Sequence, residues 1–127
     1  MLGTDGMHSD MLQSAKFAFF AGQNTDIIDY KTTYERFRNV HRYLKINGFK
    51  GDGENNLVVL DYKSPTPINK DNFFGHFLFG FNSAMITDVI SNGKLIVKNR
   101  IVQTVDEDDV IGKSSEIAKK LWKKMRH

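Results

Sequence analysis

The sequence contains no cysteine, which excludes disulfide bonds and thiolate metal ligands. A reducing compartment is the simplest one for such a chain, so we expect a cytoplasmic protein. No window approaches the ~20 apolar residues that a membrane-spanning helix needs. The first ten residues include Asp5, His8 and Asp10, and they lack the basic flank and apolar run of a signal peptide. The sequence therefore predicts no membrane segment and no secretion signal.

The chain also has little excess charge of either sign. Eighteen Lys and Arg residues face 15 Asp and Glu residues, which gives a net charge of +3. This balance is a weak signal for nucleic acid or an anionic membrane, and the aromatic residues lack the interleaved basic pattern of a base-stacking platform. We expect no nucleic-acid partner and no membrane partner, and nucleic-acid binding through the basic C-terminal end is the least favoured hypothesis.

Two helices are predicted in the first part of the chain. Ser9 can cap a helix that Gly22 ends, and a second helix runs from about Thr32 to a stop at Asn47-Gly48. The apolar residues that recur at three- and four-residue spacings are Met11, Leu12, Ala15, Ala18 and Phe19 in the first helix, and Tyr34, Phe37, Val40 and Leu44 in the second. Each helix therefore has one apolar face to bury.

The middle of the chain has the pattern of strands. After a loop at Gly51–Gly53, the continuous apolar run Leu57–Leu60 is typical of a buried strand. The two prolines of the sequence, Pro65 and Pro67, withhold amide donors, and they predict a loop over residues 64–69. This part of the chain is therefore predicted to contribute at least one core strand.

The strongest local pattern is a β-hairpin. Asp88–Ser91 and Lys94–Val97 flank the dipeptide Asn92-Gly93, which tolerates a positive φ at both turn positions. A second turn at Asn99 precedes the short apolar pair Ile101-Val102. The pattern predicts two strands around a two-residue turn, followed by another turn at Asn99.

A last helix begins at Thr104 or Asp106. Its predicted apolar stripe consists of Val110, Ser114, Ile117, Leu121 and Met125, with Trp122 beside it. Acidic residues lie near the start, at 106–109, and basic residues lie near the end, at 119–126, as the helix dipole favours. Packing and dipole effects explain this helix without a ligand, and its lysine-rich side is expected to face solvent.

These elements predict an α+β fold with N-terminal helices, a small β-sheet that contains the Asn-Gly hairpin, and a C-terminal amphipathic helix. A chain of 127 residues with 40% hydrophobic residues suits one core, so we expect a single unit over 1–127. Within it, 1–48 carries the first helices, 54–103 the β segment and 104–127 the last helix.

Five segments, taken in order, carry a resemblance to a known family. They are GTDG at 3–6, LVVLDY at 57–62, PTP at 65–67 with GHFLFG at 75–80, VISNGK at 89–94, and AKKLW at 118–122. This succession resembles the C-terminal part of an amidohydrolase-superfamily enzyme, closest to the aminohydrolase and chlorohydrolase branch that includes aminohydrolases linked to selenium metabolism. The segment GHFLFG is the most distinctive of the five.

The resemblance implies part of a (β/α)8 barrel and part of a β-sandwich built from segments that flank the barrel. The helices at 9–22 and 32–47 would adjoin the last barrel strand, the later strands would belong to the sandwich, and the helix at 106–125 would pack on the rest. Such enzymes hydrolyse C–N bonds with a zinc or iron ion that activates water. Asp5 matches the aspartate at the end of the eighth barrel strand, which would make it a metal ligand and a catalytic residue that helps to move a proton.

Asp5 has no visible co-ligands in this sequence. The family's His-x-His pair has no counterpart, and the histidines at 8, 41, 76 and 127 all lie outside the motif positions. Zinc catalysis needs about three protein ligands, so we expect no tightly bound metal in the isolated chain. Taken alone, Asp5 is also a good turn or helix-start residue, His8 suits a solvated loop better than a ligand position, and His76 suits a hydrogen-bonded position in or beside the core.

The functional expectation is therefore a C-terminal fragment of a metal-dependent amidohydrolase that is inactive alone. The alternative is a non-catalytic interaction or self-associating module derived from that family. Without a barrel, apolar surface stays uncovered, which predicts self-association or binding to an upstream barrel fragment.

Overall fold

A computed structural model describes residues 1–25, 28–49 and 56–126 of the chain. Its helices are α1 (Met11–Gly22), α2 (Tyr30–Ile46), the short α3 (Phe73–Gly75), which continues as a π-helix (His76–Gly80), a 3-10 turn (Ser83–Met85) and α4 (Glu107–Met125). Its strands are β1 (Leu57–Leu60), β2 (Ile86–Ser91), β3 (Lys94–Lys98) and β4 (Ile101–Val102). The predicted α+β class is confirmed. The loop predicted at 51–53 lies outside the described residues.

Helix α1 begins one residue later than predicted. The Asp10 carboxylate accepts a hydrogen bond from the amide of Gln13 at 3.0 Å, so Asp10 rather than Ser9 is the N-cap. Both residue types cap helices well, and Asp10 takes the role because its backbone is extended while its side chain reaches the third amide of the helix. The predicted end at Gly22 is confirmed, and a Cβ there would collide with the side chain of Ile28.

Helix α2 starts earlier than predicted and ends as predicted. The carboxylate of Asp29 accepts from the amide of Thr32 at 2.6 Å, so Asp29 caps a helix that already includes Thr32. At the other end Gly48 has a φ of +67°, and the amide of Phe49 donates to the carbonyl of Leu44 at 3.0 Å. This is a Schellman ending, which needs a left-handed residue and therefore favours glycine.

The core lies between α1, α2 and the π-helix. Its buried side chains are Ala15, Phe19, Phe77 and Leu78, and the partly buried residues packed against them are Leu2, Leu12, Tyr34, Phe37, Phe73 and Phe81. The ring of Phe77 lies 5.0 Å from the ring of Tyr34 and 5.2 Å from the ring of Phe37, measured between centroids. The aromatic residues therefore serve packing, as the sequence predicted.

The sheet is antiparallel and has the strand order β1-β2-β3-β4. The turn between β2 and β3 has φ values of +49° at Asn92 and +74° at Gly93, and the turn between β3 and β4 has +48° at Asn99 and +66° at Arg100. Left-handed backbone at both turn positions matches the right-handed twist of a hairpin. Both predicted turns are confirmed.

Apolar side chains occupy both faces of the sheet. The register pairs Leu57 with Ile90 and Ile90 with Leu95, which places these three on one face. On the other face, the paired valines are Val58, Val89, Val97 and Val102. No sheet residue is buried, and Leu57 and Val58 are 59% and 55% exposed. The prediction of a buried β1 is therefore wrong for this chain, because nothing in its described part covers either face.

Helix α4 begins at the second of the two predicted positions. Asp106 is the N-cap, and its carboxylate accepts from the amide of Asp109 at 3.1 Å. None of its residues is buried, so the expected packing of its apolar stripe on the rest of the chain is not present. Within the described ranges, no helix has the length and apolar character to cross a membrane.

Candidate functional site

Asp5 lies in a tight turn near the start of the chain. The amide of Met7 donates to the carbonyl of Thr4 at 3.4 Å, and Asp5 has a φ of +50°. Aspartate is one of the few residues other than glycine that adopts this left-handed conformation at low cost. Residues 1–4 form no strand in this structure, and the barrel-strand setting implied by the resemblance stays a prediction. The carboxylate of Asp5 is exposed to solvent.

The turn that carries Asp5 is attached to α1. The buried hydroxyl of Ser14 donates to the carbonyl of Gly3 at 3.3 Å, and the side chain of Leu2 packs against the core. These two contacts lie on the N-terminal side of the turn. They hold Asp5 beside the first helix even though its own side chain faces solvent.

Asp10, near the same turn, makes more side-chain hydrogen bonds than Asp5 does. Its Oδ1 caps α1, and its Oδ2 accepts from the Ser83 hydroxyl at 2.6 Å. Partial burial raises the pKa of Asp10, but the hydrogen bonds from Ser83 and from the amides of Gln13 and Leu12 outweigh it, so the pKa lies below its ordinary value. Asp10 therefore joins the helical region to the turn that precedes β2.

The described histidines do not complete a metal site around Asp5. His8 Nδ1 accepts from the amide of Asp10 at 3.3 Å, and both ring nitrogens of His76 are hydrogen-bonded elsewhere. Across residues 1–25, 28–49 and 56–126, no three His, Asp or Glu side chains are grouped so that they could hold a metal ion. Zinc sites use three or four protein ligands, so the described part of the chain does not fit a zinc or iron centre by itself.

A second polar cluster surrounds His76. The Tyr62 hydroxyl lies 2.8 Å from its Nδ1, and the Thr66 hydroxyl lies 3.1 Å from its Nε2. Hydroxyl groups donate or accept, so both ring nitrogens are satisfied in either tautomer. The expected hydrogen-bonded histidine beside the core is confirmed. The cluster joins the end of β1, the proline loop and the π-helix.

The distinctive GHFLFG segment owes its shape to close packing. The amide of Phe81 donates to the carbonyl of His76 at 2.9 Å, which gives the wide turn of a π-helix. A Cβ on Gly80 would lie 2.7 Å from Cζ of Tyr62, so this position leaves room only for glycine. Tyr62 thus contacts both ends of the π-helix, because its hydroxyl group binds His76 and the hydroxyl end of its ring lies against Gly80.

The sequence did not indicate the part played by Tyr62, Asp10 or Asp29. Tyr62 follows a strand and precedes the proline loop, and a residue at such a junction can reach a neighbouring element, but its partner 14 residues away depends on the fold. The sequence predicts Ser9 as the cap of α1 and a start of α2 near Thr32, whereas Asp10 and Asp29 cap these helices in the structure. Aspartate is as good a cap as serine, so either choice satisfies the pattern.

The chain shows distant similarity to part of a group of deaminases. Over 74 residues it is 28% identical to a 5-methylthioadenosine/S-adenosylhomocysteine deaminase of Desulforamulus reducens. The corresponding enzymes of Pelotomaculum thermopropionicum and Syntrophomonas wolfei are 27% and 24% identical to it over the same length. The aligned segment is 58% of this chain and 16% of each relative, so the chain spans only about a sixth of the length of these curated relatives.

No family model matches the sequence, and no solved structure matches the chain. The deaminases belong to the amidohydrolase superfamily, so the similarity agrees with the resemblance at the level of an aminohydrolase. It does not distinguish the chlorohydrolase or selenium-linked branch, which stays a prediction. The comparison thus supports distant homology between this chain and part of a hydrolase.

Proposed function

We propose that this chain is the C-terminal part of a metal-dependent hydrolase that acts on C–N bonds, and that it is inactive by itself. The observation that carries the proposal is the partial similarity to deaminases, which extends over 58% of the chain but only 16% of each relative. A segment of this relative size can contribute to an active site without containing all of it.

The exposed sheet supports the same proposal. Continuous apolar strands occur where both faces of a sheet are covered, yet Leu57, Val58 and Val59 are each about half exposed or more. Among the strands of the described ranges, none pairs with the outer edge of β1. A sheet with two apolar faces and an open edge suits a chain whose remaining layers come from an upstream portion of a longer enzyme.

Asp5 is the residue we propose for the shared site. Its exposed carboxylate stands in a fixed turn beside α1, where a ligand supplied by other residues could share a metal with it. In that assembled enzyme Asp5 would be one ligand of a divalent metal, zinc or iron. Residues outside this chain would supply the other ligands.

Complementation tests the proposal. A barrel portion of the Desulforamulus reducens deaminase that ends before its own counterpart of Asp5 is mixed with the 127-residue chain, and ammonia release from 5-methylthioadenosine is measured. In this reaction water replaces the amino group and ammonia leaves. We expect release from the mixture and none from either part. Asp5→Asn should abolish release, whereas Asp71→Asn, an exposed aspartate in the loop before α3, should leave it unchanged.

Release that survives Asp5→Asn would remove Asp5 from the site. Metal content gives a second readout, because the assembled pair should retain zinc or iron through dialysis and the Asp5→Asn pair should retain less. If the two parts bind each other without turnover or metal retention, the catalytic proposal fails. The second candidate function, a non-catalytic binding module, would then be favoured, and the exposed apolar sheet is the observation that supports it.

A further inference from the structure

Helix α4 carries an apolar stripe that nothing in the described chain covers. Ile117 is 64% exposed, Leu121 is 54% exposed and Trp122 is 60% exposed. The other large apolar side chains of the helix are equally open, namely Val110, Ile111 and Met125. At 100° per residue these six side chains fall on one side of the helix, so they form a continuous stripe along its length. Burial of its apolar face against a partner surface would add to the stability of a helix of this kind.

The charges of α4 are separated by end. Acidic residues occupy positions 106–109, and the basic residues of the last turns are Lys119, Lys120, Lys123, Lys124 and Arg126. Among the described residues, the side-chain ion pair within the helix joins Lys113 to Asp109 at 2.6 Å, and the basic C-terminal half forms no ion pair with an acidic residue of its own helix. One end of α4 is therefore complementary in charge to the other end of an identical helix.

We propose that two copies of this chain associate through α4 in an antiparallel pair. With 19 residues and a rise of about 1.5 Å per residue, the helix is roughly 28 Å long, so a pair crossing near Ile117 brings the acidic first turn of each copy opposite the basic last turns of the other. The apolar stripes then face each other. The symmetric arrangement uses the same surface of both copies.

Charge selects this orientation over the alternatives. A parallel pair would place the aspartates of 106–109 beside each other and the lysines of 119–124 beside each other, which like-charge repulsion disfavours. The exposed sheet of the same chain offers apolar area but lacks an opposite charge pattern of this length. The antiparallel second copy covers the stripe and pairs both charged ends at once. This inference does not depend on the proposed hydrolase function, since it uses a different surface.

Sedimentation equilibrium of the 127-residue chain gives the first test. We expect a concentration-dependent dimer and a blue shift of fluorescence from Trp122, the single tryptophan, as it associates. The double variant Ile117→Gln with Leu121→Gln keeps residues of good helix propensity, and it should raise the dimer dissociation constant by a factor on the order of ten or more. Glu116→Gln, on the opposite side of α4, is the matched control and should leave the constant unchanged.

Charge exchange gives the second test and does not alter the apolar stripe. One variant carries Asp108→Lys and Asp109→Lys, and the other carries Lys123→Glu and Lys124→Glu. Each should dimerise more weakly alone, because both ends then have the same sign, and mixing the two should restore dimers. Added salt should weaken the wild-type dimer, because it screens attraction between the ends, whereas a parallel pair would be strengthened.

Four results would overturn the proposal. They are a monomer mass at every concentration, equal weakening by Glu116→Gln, failure of the mixed charge variants to recover, and a Trp122 shift that appears only when an upstream barrel portion or anionic vesicles are added. Circular dichroism of each variant ensures that α4 is still formed, so a melted helix is not mistaken for a lost interface.

Discussion

The two halves of this molecule use similar amounts of apolar sequence in different ways. In the helical half, α1, α2 and the π-helix enclose a small aromatic core, and Leu78 has no exposed surface. In the other half, the apolar residues of the sheet and α4 are mainly Val, Ile and Leu, yet none of the residues in these elements is buried. Hydrophobic periodicity therefore predicts which elements form, but it does not show whether the chain itself supplies their cover.

This difference in burial also bears on function, because the two halves differ in their need for a partner. The helical half is stabilised by its own residues, because side chains cap the first turns of α1 and α2 and the aromatic rings pack together in the core. The sheet and α4 leave apolar surface that a stable monomer seldom shows in such amount. The uncovered half is therefore where a larger enzyme or a second copy would contribute, and substitutions in the two halves should have unequal costs.

The largest expected effect is the loss of a core side chain. Leu78→Ala should lower the free energy of unfolding by about 2 to 5 kcal/mol, because it removes a fully buried side chain and leaves a cavity. Val58→Ala, on the exposed face of β1, should change it by roughly 0.5 kcal/mol or less. Urea unfolding followed by far-UV circular dichroism measures both. Similar losses at the two positions would show that the sheet is packed in solution, so the two halves would not differ in burial as the structure indicates.

Gly80→Ala is expected to have the next largest effect. The added Cβ would collide with the Tyr62 ring, which must move away from His76, and overpacking of this kind costs about 1 to 3 kcal/mol. Gly75→Ala is the matched control within the same segment. A Cβ at Gly75 meets no atom within 4 Å and the backbone is right-handed, so the substitution should be neutral or stabilise by up to ~1 kcal/mol.

The same urea unfolding measurement can identify the cause of the Gly80→Ala loss. If the Tyr62 ring is the obstacle, Tyr62→Ala should remove most of the additional cost of Gly80→Ala, so the double variant would lose less stability than the sum of the two single variants. Strict additivity would place the strain elsewhere in the π-helix. It would also weaken the argument that Tyr62 requires glycine at position 80.

Local sequence patterns predicted those elements whose signals are short-range. The hairpin at Asn92-Gly93, the end of α2 at Gly48 and the start of α4 at Asp106 all depend on residues within five positions of each other. The π-helix could not be predicted in this way. The width of its turn is linked to Tyr62, which lies 14 residues before His76 and meets it only in the folded chain.

The candidate site was predictable to a smaller extent. The hydrogen bonds of His76 followed from its position among phenylalanines, because a polar group beside a core must be paired. The Gly-Thr-Asp-Gly sequence was also sufficient to indicate a turn at Asp5. The metal role of Asp5 stays a prediction that rests on resemblance. A ligand set is a property of several distant residues, and local sequence does not contain it.

The smallest effect concerns Asp10, whose carboxylate links the two halves through Ser83. Asp10→Ala removes both the cap of α1 and this link, and it should cost about 1 kcal/mol at neutral pH. The pKa of Asp10 is lower in the folded chain than its ordinary value, so the folded state favours the carboxylate. Its stabilising contribution is complete above the unfolded pKa, about 4, and disappears as the pH falls through the lower folded pKa.

Asp10→Asn separates capping from titration in urea unfolding measured between pH 7 and about pH 2. Asparagine caps a helix as well as aspartate does but carries no charge to lose, so this variant should keep most of the neutral-pH stability and lose less of it on acidification than the wild type. Asp29 and Asp88 also have lowered pKa values, and the comparison cancels their contributions because both are present in each protein. Ser83→Ala should reproduce part of the acid sensitivity change while leaving the cap intact. If wild type and Asp10→Asn lose stability in parallel below pH 4, neither the helix cap nor the bond to Ser83 favours the ionised carboxylate of Asp10 in solution, and the contact between the halves is then left to the Tyr62–His76 hydrogen bond.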